Sequence, residues 1–481
     1  MKDEIFGNRI PKKVLKEKQK KARSNSRRFG DDRSRPCHLG IEKNDVIGST
    51  LGVRNITASD TPLGELPEKP VIIGNIRMGF GHYRISMAMA SAAHALGYTP
   101  LWFDLNSFPD TAMGRLIFSQ NELYSRGSRW SEKSRLFNNL FWEPLNSEGF
   151  RKLTYNVGDL ANAELMTRVF QEIPTDTPFL ATHAWPAQAA LAAGMTHVVN
   201  AIPDNWPMAL HLAPGSIHTV QTHSAWLGYK ALRGMDRKSF LLPIPEGQLV
   251  YTGRYVDHEL VSRLEQDTAA RLKRLDQKEP LRFLLSVGGA GAQKELFASM
   301  LRYLLPHVKK GRAVLLINAG DHRDVWEALK QEVPELSEAV CHFEDFAETT
   351  AFAETLQSET VTGIHAFCHT DIFAAVYSTN LLMHGTDVLM TKPSEFSFYP
   401  LPKLLIRRVG GHEAWGAIAS AETGDGTYEL REPEEINGMI RLMLKEHDIL
   451  REMNQAILSA AAAGEYDGAR KAVELAVNTA E

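Results

Sequence analysis

The chain has 481 residues, a formal net charge of −4 and three cysteines, Cys37, Cys341 and Cys368, with no C-x-x-C spacing. That length calls for more than one domain, since single cores rarely grow past ~250–300 residues. The cysteine usage excludes a disulfide framework and fits a reducing compartment, and no apolar run reaches the ~18 residues of a spanning helix. Charge is uneven: residues 1–35 hold 13 Lys/Arg against 5 Asp/Glu, a net of +8, which leaves −12 for the remainder. A body of that sign argues against nucleic-acid binding. Met1-Lys-Asp-Glu lacks the apolar core of a secretory signal, so the expected location is cytoplasmic.

Residues 1–69 read as a basic, flexible N-terminal arm. The section 12–35 is basic and poor in large apolar side chains, and 36–69 is rich in Gly, Pro, Ser, Thr and Asp. Such an arm is either solvated or laid on anionic lipid, at roughly 1 kcal/mol per charge near the surface.

From Pro70 the pattern becomes β-α-β. A strand at 71–76 leads through Gly79 and Gly81, which allow positive φ and close backbone approach, into a helix predicted over about 82–96. His82 stands at its start, near unpaired N–H groups and the positive dipole end. An imidazole there can act as a base near neutral pH. A strand at 101–105 follows, and then a largely helical stretch, 110–172, rich in aromatics such as Phe118, Trp130 and Phe141. It packs a core or forms an insertion beside an acceptor cleft. Strands at 179–182, 198–204 and 217–223 come next. Asp104, His183, Asp204 and His223 gather at the carboxyl ends of successive strands, the edge at which open α/β sheets bind ligands. A strand at 249–254 and a helix to about 275 close this first domain, 70–276, and 277–280 reads as a linker.

The second half, 281–445, restarts with an apolar strand at 281–287 and a glycine-rich turn, Gly288-Gly289-Ala290-Gly291, before a helix. Backbone N–H groups of such a turn can hold a diphosphate. It is not a Walker A loop, because Lys294 lacks that context. Asp321 and His322 follow the strand at 314–319. His365, His369 and Asp371, with Cys368 between, would lie within one or two turns if helical, where i, i+4 histidines can bind a metal. The H-E-x-x-H glutamate is absent, so the reading is a structural or ligand-lining role and no metal site is assigned. Helices at about 412–421, 433–446 and 447–479 finish the chain, with 446–481 set apart as C-terminal helices that can return to the first domain.

Taken in order, five motifs resemble the GT-B glycosyltransferases that make lipid-linked products, notably the peptidoglycan GlcNAc-transferase MurG and the monogalactosyldiacylglycerol synthases. Gly79-Phe-Gly-His82 resembles the family's Gly-Gly-His turn, and Ile202-Pro-Asp204 with Trp206 its strand-ending acidic segment. Tyr251-Thr-Gly-Arg-Tyr-Val256 resembles its T-G-N-P-V segment, 285–292 its donor phosphate loop, and His412-Glu-Ala-Trp-Gly-Ala417 its Q-Q-x-x-N-A motif. The sequence departs from the family at 391–402, where Ser394 replaces a glycine and Glu395 is the nearest carboxylate, and at His412, Glu413 and Gly416.

The resemblance implies an α/β GT-B fold, two Rossmann-like doubly wound domains facing a central cleft. It implies inverting transfer from a nucleotide diphosphate-sugar to an acceptor hydroxyl, with a lipid-linked acceptor and peripheral membrane contact through the arm among its consequences. His82 is then the base, with Asp104 or Asp204 orienting it or sharing that role. Gly79, Gly81, His183 and His223 lie on the acceptor side. Gly288, Gly289, Ala290, Gly291, Glu395, His412 and Glu413 lie on the donor side. No metal or other cofactor is required. A nucleotide-sugar epimerase or hydrolase on the same fold, and a non-catalytic GT-B ligand-binding protein, stay open as alternatives.

Overall fold

Two parallel sheets organise the chain, because its apolar runs are too continuous to leave either face in water. The computed structural model describes residues 3–133, 149–236, 241–287, 293–343 and 345–478, and no side chain of 124–129 or 131–133. A small hairpin, β1 (Glu4–Ile5) and β2 (Asn8–Arg9), precedes a helix at Lys12–Phe29. The first large sheet then takes β3 (His38–Lys43), β4 (Arg54–Ser59), β5 (Pro70–Asn75), β6 (Thr99–Asp104), β7 (Phe179–Ala181), β8 (Val198–Ala201), β9 (Ile217–Val220) and β10 (Leu249–Tyr251). Its order is β10-β9-β8-β7-β5-β6-β4-β3, parallel except for the β3/β4 edge.

The second sheet takes β11 (Leu281–Ser286), β12 (Ala313–Asn318), β13 (Val340–His342), β14 (Ile364–Phe367), β15 (Val388–Thr391) and β16 (Lys403–Leu405) in the order β13-β14-β12-β11-β15-β16, all parallel. In each sheet the strand order reverses at the first central strand. The crevices open between β5 and β7 and between β11 and β15, where doubly wound sheets bind ligands.

Helix Phe80–Ala95 is the axle between the halves. Met87, Ala88 and Ala92 pack in one cluster with Val376 and Tyr377 of helix Ile372–Met383 and with Ala472 and Val473 of the last helix, Gly468–Asn478. Small alanines on both sides let the helices approach closely. Arg84 crosses from this axle into the second domain. Its Nη1 donates to Asn380 Oδ1 at 2.8 Å, and its guanidinium lies 3.8 Å from the Phe396 ring centroid. Two Rossmann-like domains facing each other, with the final helix back on the first, form the GT-B layout. Among the described residues no helix is long and apolar enough to cross a membrane.

The expected flexible arm is instead built into the first domain. Val14 and Leu15 of helix Lys12–Phe29 pack beside Leu153 and Val157, while Leu39 of β3 and Ile56 of β4 are buried. Asp32 accepts from the Ala112 N–H at 2.9 Å and pairs with Arg168 at 2.8 Å. Averaged composition hid a few well-spaced apolar residues whose partners lie more than a hundred residues away.

Three further expectations change. The axle helix begins at Phe80 rather than His82. His365 lies on strand β14, with β13 beside it, so His365 and His369 share no helix face. The C-terminal helix breaks at Gly464, giving His447–Ala462 and Gly468–Asn478. Within the expected helical insertion, Ala112–Lys133 and Leu153–Ala163 are helices, and 134–148 lie outside the described residues.

Candidate active site

The turn after β5 supplies the first group. Gly79 has φ +89°, a left-handed conformation that costs glycine little, and it stands at the N-cap of helix Phe80–Ala95. His82 therefore sits in the first helical turn. Gly81 serves close approach: a Cβ there would lie 3.1 Å from Glu395 Oε2. A carboxylate of the second domain thus reaches the turn of the first.

His82 Nδ1 lies 2.9 Å from the Thr182 carbonyl oxygen. A carbonyl only accepts, so Nδ1 carries the hydrogen and Nε2 keeps its lone pair. Burial pulls the His82 pKa below the ordinary imidazole value, against the opposing pull of the Thr182 carbonyl, Asp204 and Glu395. The ring is neutral at pH 7 with Nε2 as its basic atom.

His183 follows β7 and caps helix Ala184–Ala192, its Nδ1 accepting the Trp185 N–H at 3.0 Å. Its ring meets that of His82 edge-on, with centroids 4.8 Å apart. Burial, then repulsion from His82 and His211, holds its pKa well below the ordinary value.

Asp204 follows β8 and lies 3.0 Å from His211 Nε2. Burial pushes its carboxyl up, but His412, His211 and His82 outweigh that and hold it below the usual carboxylate range. Asp204 is the anion among these three histidines.

The second domain contributes Lys392, immediately after β15. Its ammonium contacts Glu413 Oε1, while Glu413 Oε2 accepts the N–H groups of Val409 at 2.7 Å and Gly410 at 3.1 Å. Burial alone would lower the Lys392 pKa; Glu413, Glu395 and Asp204 reverse that and raise it. Lys392 therefore stays charged. His412 precedes Glu413, and its buried Nδ1 has no hydrogen-bond partner among the described residues.

His82, His183, Asp204, Glu395, His412 and Glu413 thus converge from five separate stretches. Sequence reasoning missed two members. Lys392 was visible in the altered 391–402 segment, but its role depends on Glu413 and Asp204, which lie outside that segment, as well as on Glu395 within it. His211 belongs to no motif, and only its contact with Asp204 reveals it.

Other expected residues lie elsewhere. Asp104 accepts the Tyr83 hydroxyl and, at 2.8 Å, the Asn106 N–H, so it orients Tyr83 and not His82. Burial raises its pKa, as suits a closed-in structural carboxyl. His223 begins helix His223–Lys230 on the exposed side and lies against Tyr251, with centroids 4.0 Å apart and planes tilted by 33°. Glu413 has both oxygens occupied by Lys392 and its own turn, which displaces it from the expected reading of sugar hydroxyls.

Gly288, Gly289, Ala290 and Gly291 lie outside the described residues. Asp321 pairs with Arg77 of the first domain at 2.6 Å, and His322 packs on Phe80. His365 bonds the Thr362 carbonyl at 3.0 Å and His369 the Thr349 hydroxyl at 2.9 Å. Among the described residues no group of three or more His, Cys, Asp or Glu is placed to hold a metal.

In fold, the chain is similar to the UDP-GlcNAc 2-epimerase of Neisseria meningitidis, solved bound to UDP-GlcNAc. The two are 11% identical over 85% of this chain and 99% of that one, with a TM-score of 0.45. It is also similar to an α,α-trehalose-phosphate synthase (UDP-forming) from Burkholderia vietnamiensis, 12% identical over 85% of this chain and 100% of that one, TM-score 0.44. A glycosyltransferase from Rickettsia africae is 12% identical over 86% of this chain and 99% of that one, TM-score 0.42. No curated protein matches the sequence. Residues 4–231 match the family model described as domain of unknown function DUF6937, and residues 244–477 match a second, domain of unknown function DUF6938.

Proposed function

We propose that the cleft takes a nucleotide diphosphate-sugar and transfers its sugar, with inversion, to an acceptor hydroxyl held at His82. The observation that carries this reading is the fixed tautomer of His82, whose Nδ1–H is spent on Thr182 and whose Nε2 is free to take a proton. The acceptor O–H bond breaks toward Nε2 and its oxygen attacks the anomeric carbon. The bond from that carbon to the diphosphate oxygen breaks, and the electron pair leaves with the nucleotide. Lys392, kept charged by three carboxylates, is the cation available to the leaving diphosphate. Asp204 steadies His82 as it gains charge. This scheme assigns no chemical step to a metal or cofactor.

Within the GT-B superfamily, the motif order resembling MurG and the monogalactosyldiacylglycerol synthases supports a lipid-linked acceptor. Exposed Lys12, Lys13, Lys16, Lys20 and Lys21 on helix Lys12–Phe29 would face anionic lipid, in a protein working from the cytoplasm. An epimerase would alter the free sugar nucleotide without any acceptor, and a binding protein would alter nothing.

The test is a thermal-shift panel of UDP-, GDP-, ADP- and dTDP-sugars, followed by turnover of whichever binds. His82→Gln is expected to abolish turnover while leaving nucleotide affinity near wild type. The transferase reading fails if no nucleotide-sugar raises the melting temperature.

A further inference from the structure

The two histidines at the β5/β7 crevice present opposite faces of the same chemistry. His82 donates through Nδ1–H to the Thr182 carbonyl, so its Nε2 is a bare lone pair. His183 does the reverse: its Nδ1 lone pair is occupied by the Trp185 N–H at 3.0 Å, so the hydrogen of the neutral ring resides on Nε2. Both rings are neutral at pH 7, because burial lowers both pKa values. Their centroids lie 4.8 Å apart at 78°. Neither Nε2 has a hydrogen-bond partner among the described residues. Two rings in edge contact thus offer one acceptor and one donor, each locked by a backbone group that cannot change role.

We infer that His183 is a second catalytic residue, and that the pair binds the reacting hydroxyl at two points. This rests on the transferase reading above. The hydroxyl donates its hydrogen to His82 Nε2, and one oxygen lone pair accepts from His183 Nε2–H. The second lone pair is left for attack. As the O–H bond breaks and the proton passes to His82, negative charge grows on an oxygen already held by the His183 N–H. His183 keeps its own proton throughout. A group able only to accept, or only to donate, satisfies half the clamp, which selects an alcohol or water over an ether or a carboxylate.

Two substitutions separate this role from helix capping. His183→Asn keeps an oxygen near the Nδ1 position, and asparagine is a strong N-cap, but it has nothing at the Nε2 position. His183→Gln places an amide N–H near Nε2 and leaves the helix uncapped. The expected result for Asn is an unchanged melting temperature and nucleotide affinity with kcat down about 10²–10³-fold, the usual loss for one donor to a developing oxyanion. Gln is expected to melt lower and to recover part of kcat. Wild-type kcat in the Asn variant overturns the inference.

Long-range ¹H–¹⁵N correlation on histidine-labelled protein tests the clamp without any sugar donor. His82 should be the Nδ1–H tautomer and His183 the Nε2–H tautomer, and saturating glycerol, as a hydroxyl probe, should shift both Nε2 resonances together. Any other tautomer assignment, or a shift of one ring or neither, overturns it. If the tautomers and the glycerol response hold while no nucleotide-sugar binds, the transferase reading fails and the hydroxyl clamp stands.

Discussion

Trp206, two residues after Asp204, and Trp415, two residues before Ala417, meet across the cleft with ring centroids 5.6 Å apart and planes tilted by 37°. The Arg151 guanidinium lies 4.4 Å from the Trp206 centroid on the first domain. The contact joins the two domains beside Asp204 and His412, so it fixes their separation at the site. Aromatic pairs contribute about 0.5–1.5 kcal/mol beyond their area. A double-mutant cycle of Trp206→Ala and Trp415→Ala, read by denaturant unfolding, is expected to give a coupling energy of that size. Strict additivity of the two losses would mean the rings touch without sharing energy.

The pH dependence of turnover should carry the mark of His82. Its pKa is lowered by burial, so the basic form persists to more acidic pH than for a free imidazole at ~6.5. The acidic limb of kcat/KM is expected below that value, with a plateau through neutrality. A limb centred at or above ~6.5 would assign the base to another group.

Stability should respond to pH through Lys403, which is fully buried against Asp425 at 3.0 Å beside Arg254. Burial lowers its pKa to about 8. The unfolded chain holds this proton up to pH ~10.4, so between about 8 and ~10.4 it binds more protons than the folded state. Stability from this group is therefore fully present above the upper limit, falls as pH drops toward 8, and is constant below. The difference is on the order of 3 kcal/mol. Urea unfolding of wild type and Lys403→Met at pH 8 and pH 10 checks it, the comparison cancelling the tyrosines common to both. An identical pH slope in the two proteins would reject the assignment.

Deleting residues 1–35 should destabilise the first domain, contrary to what a solvated arm would do. The deletion strips the partly buried Val14 and Leu15 from their cluster and removes Asp32 from the Ala112 N–H and Arg168. Asp32→Ala alone is expected to cost about 1–3 kcal/mol, because it removes the acceptor of the Ala112 N–H and the anion beside the partly buried Arg168 guanidinium. Thermal unfolding measures both, and a wild-type melting temperature in the deletion would restore the picture of a detached arm.

Sequence alone determined the plan of two parallel sheets, because strands buried on both faces must be largely apolar, as 71–73 and 283–285 are. It also marked His82, His183 and Asp204, because a doubly wound sheet gathers its ligand groups at strand carboxyl ends, and those ends can be read by position. What it could not convey was which of those groups share a partner. Asp104 and His82 both follow central strands, yet a neighbouring tyrosine hydroxyl takes Asp104 and a backbone carbonyl takes His82. Residues 36–59 looked unstructured because β3 and β4 gain their stability from Leu39 and Ile56 packing on residues remote in the chain, not from local propensity. Lys392 acquired its place only when folding brought Glu413 and, from the other domain, Asp204 to it, and His211 only when the chain after β8 turned back onto Asp204. Hydrophobic periodicity is local and survives in a string of letters; electrostatic pairing across two domains depends on distances that only the tertiary structure decides.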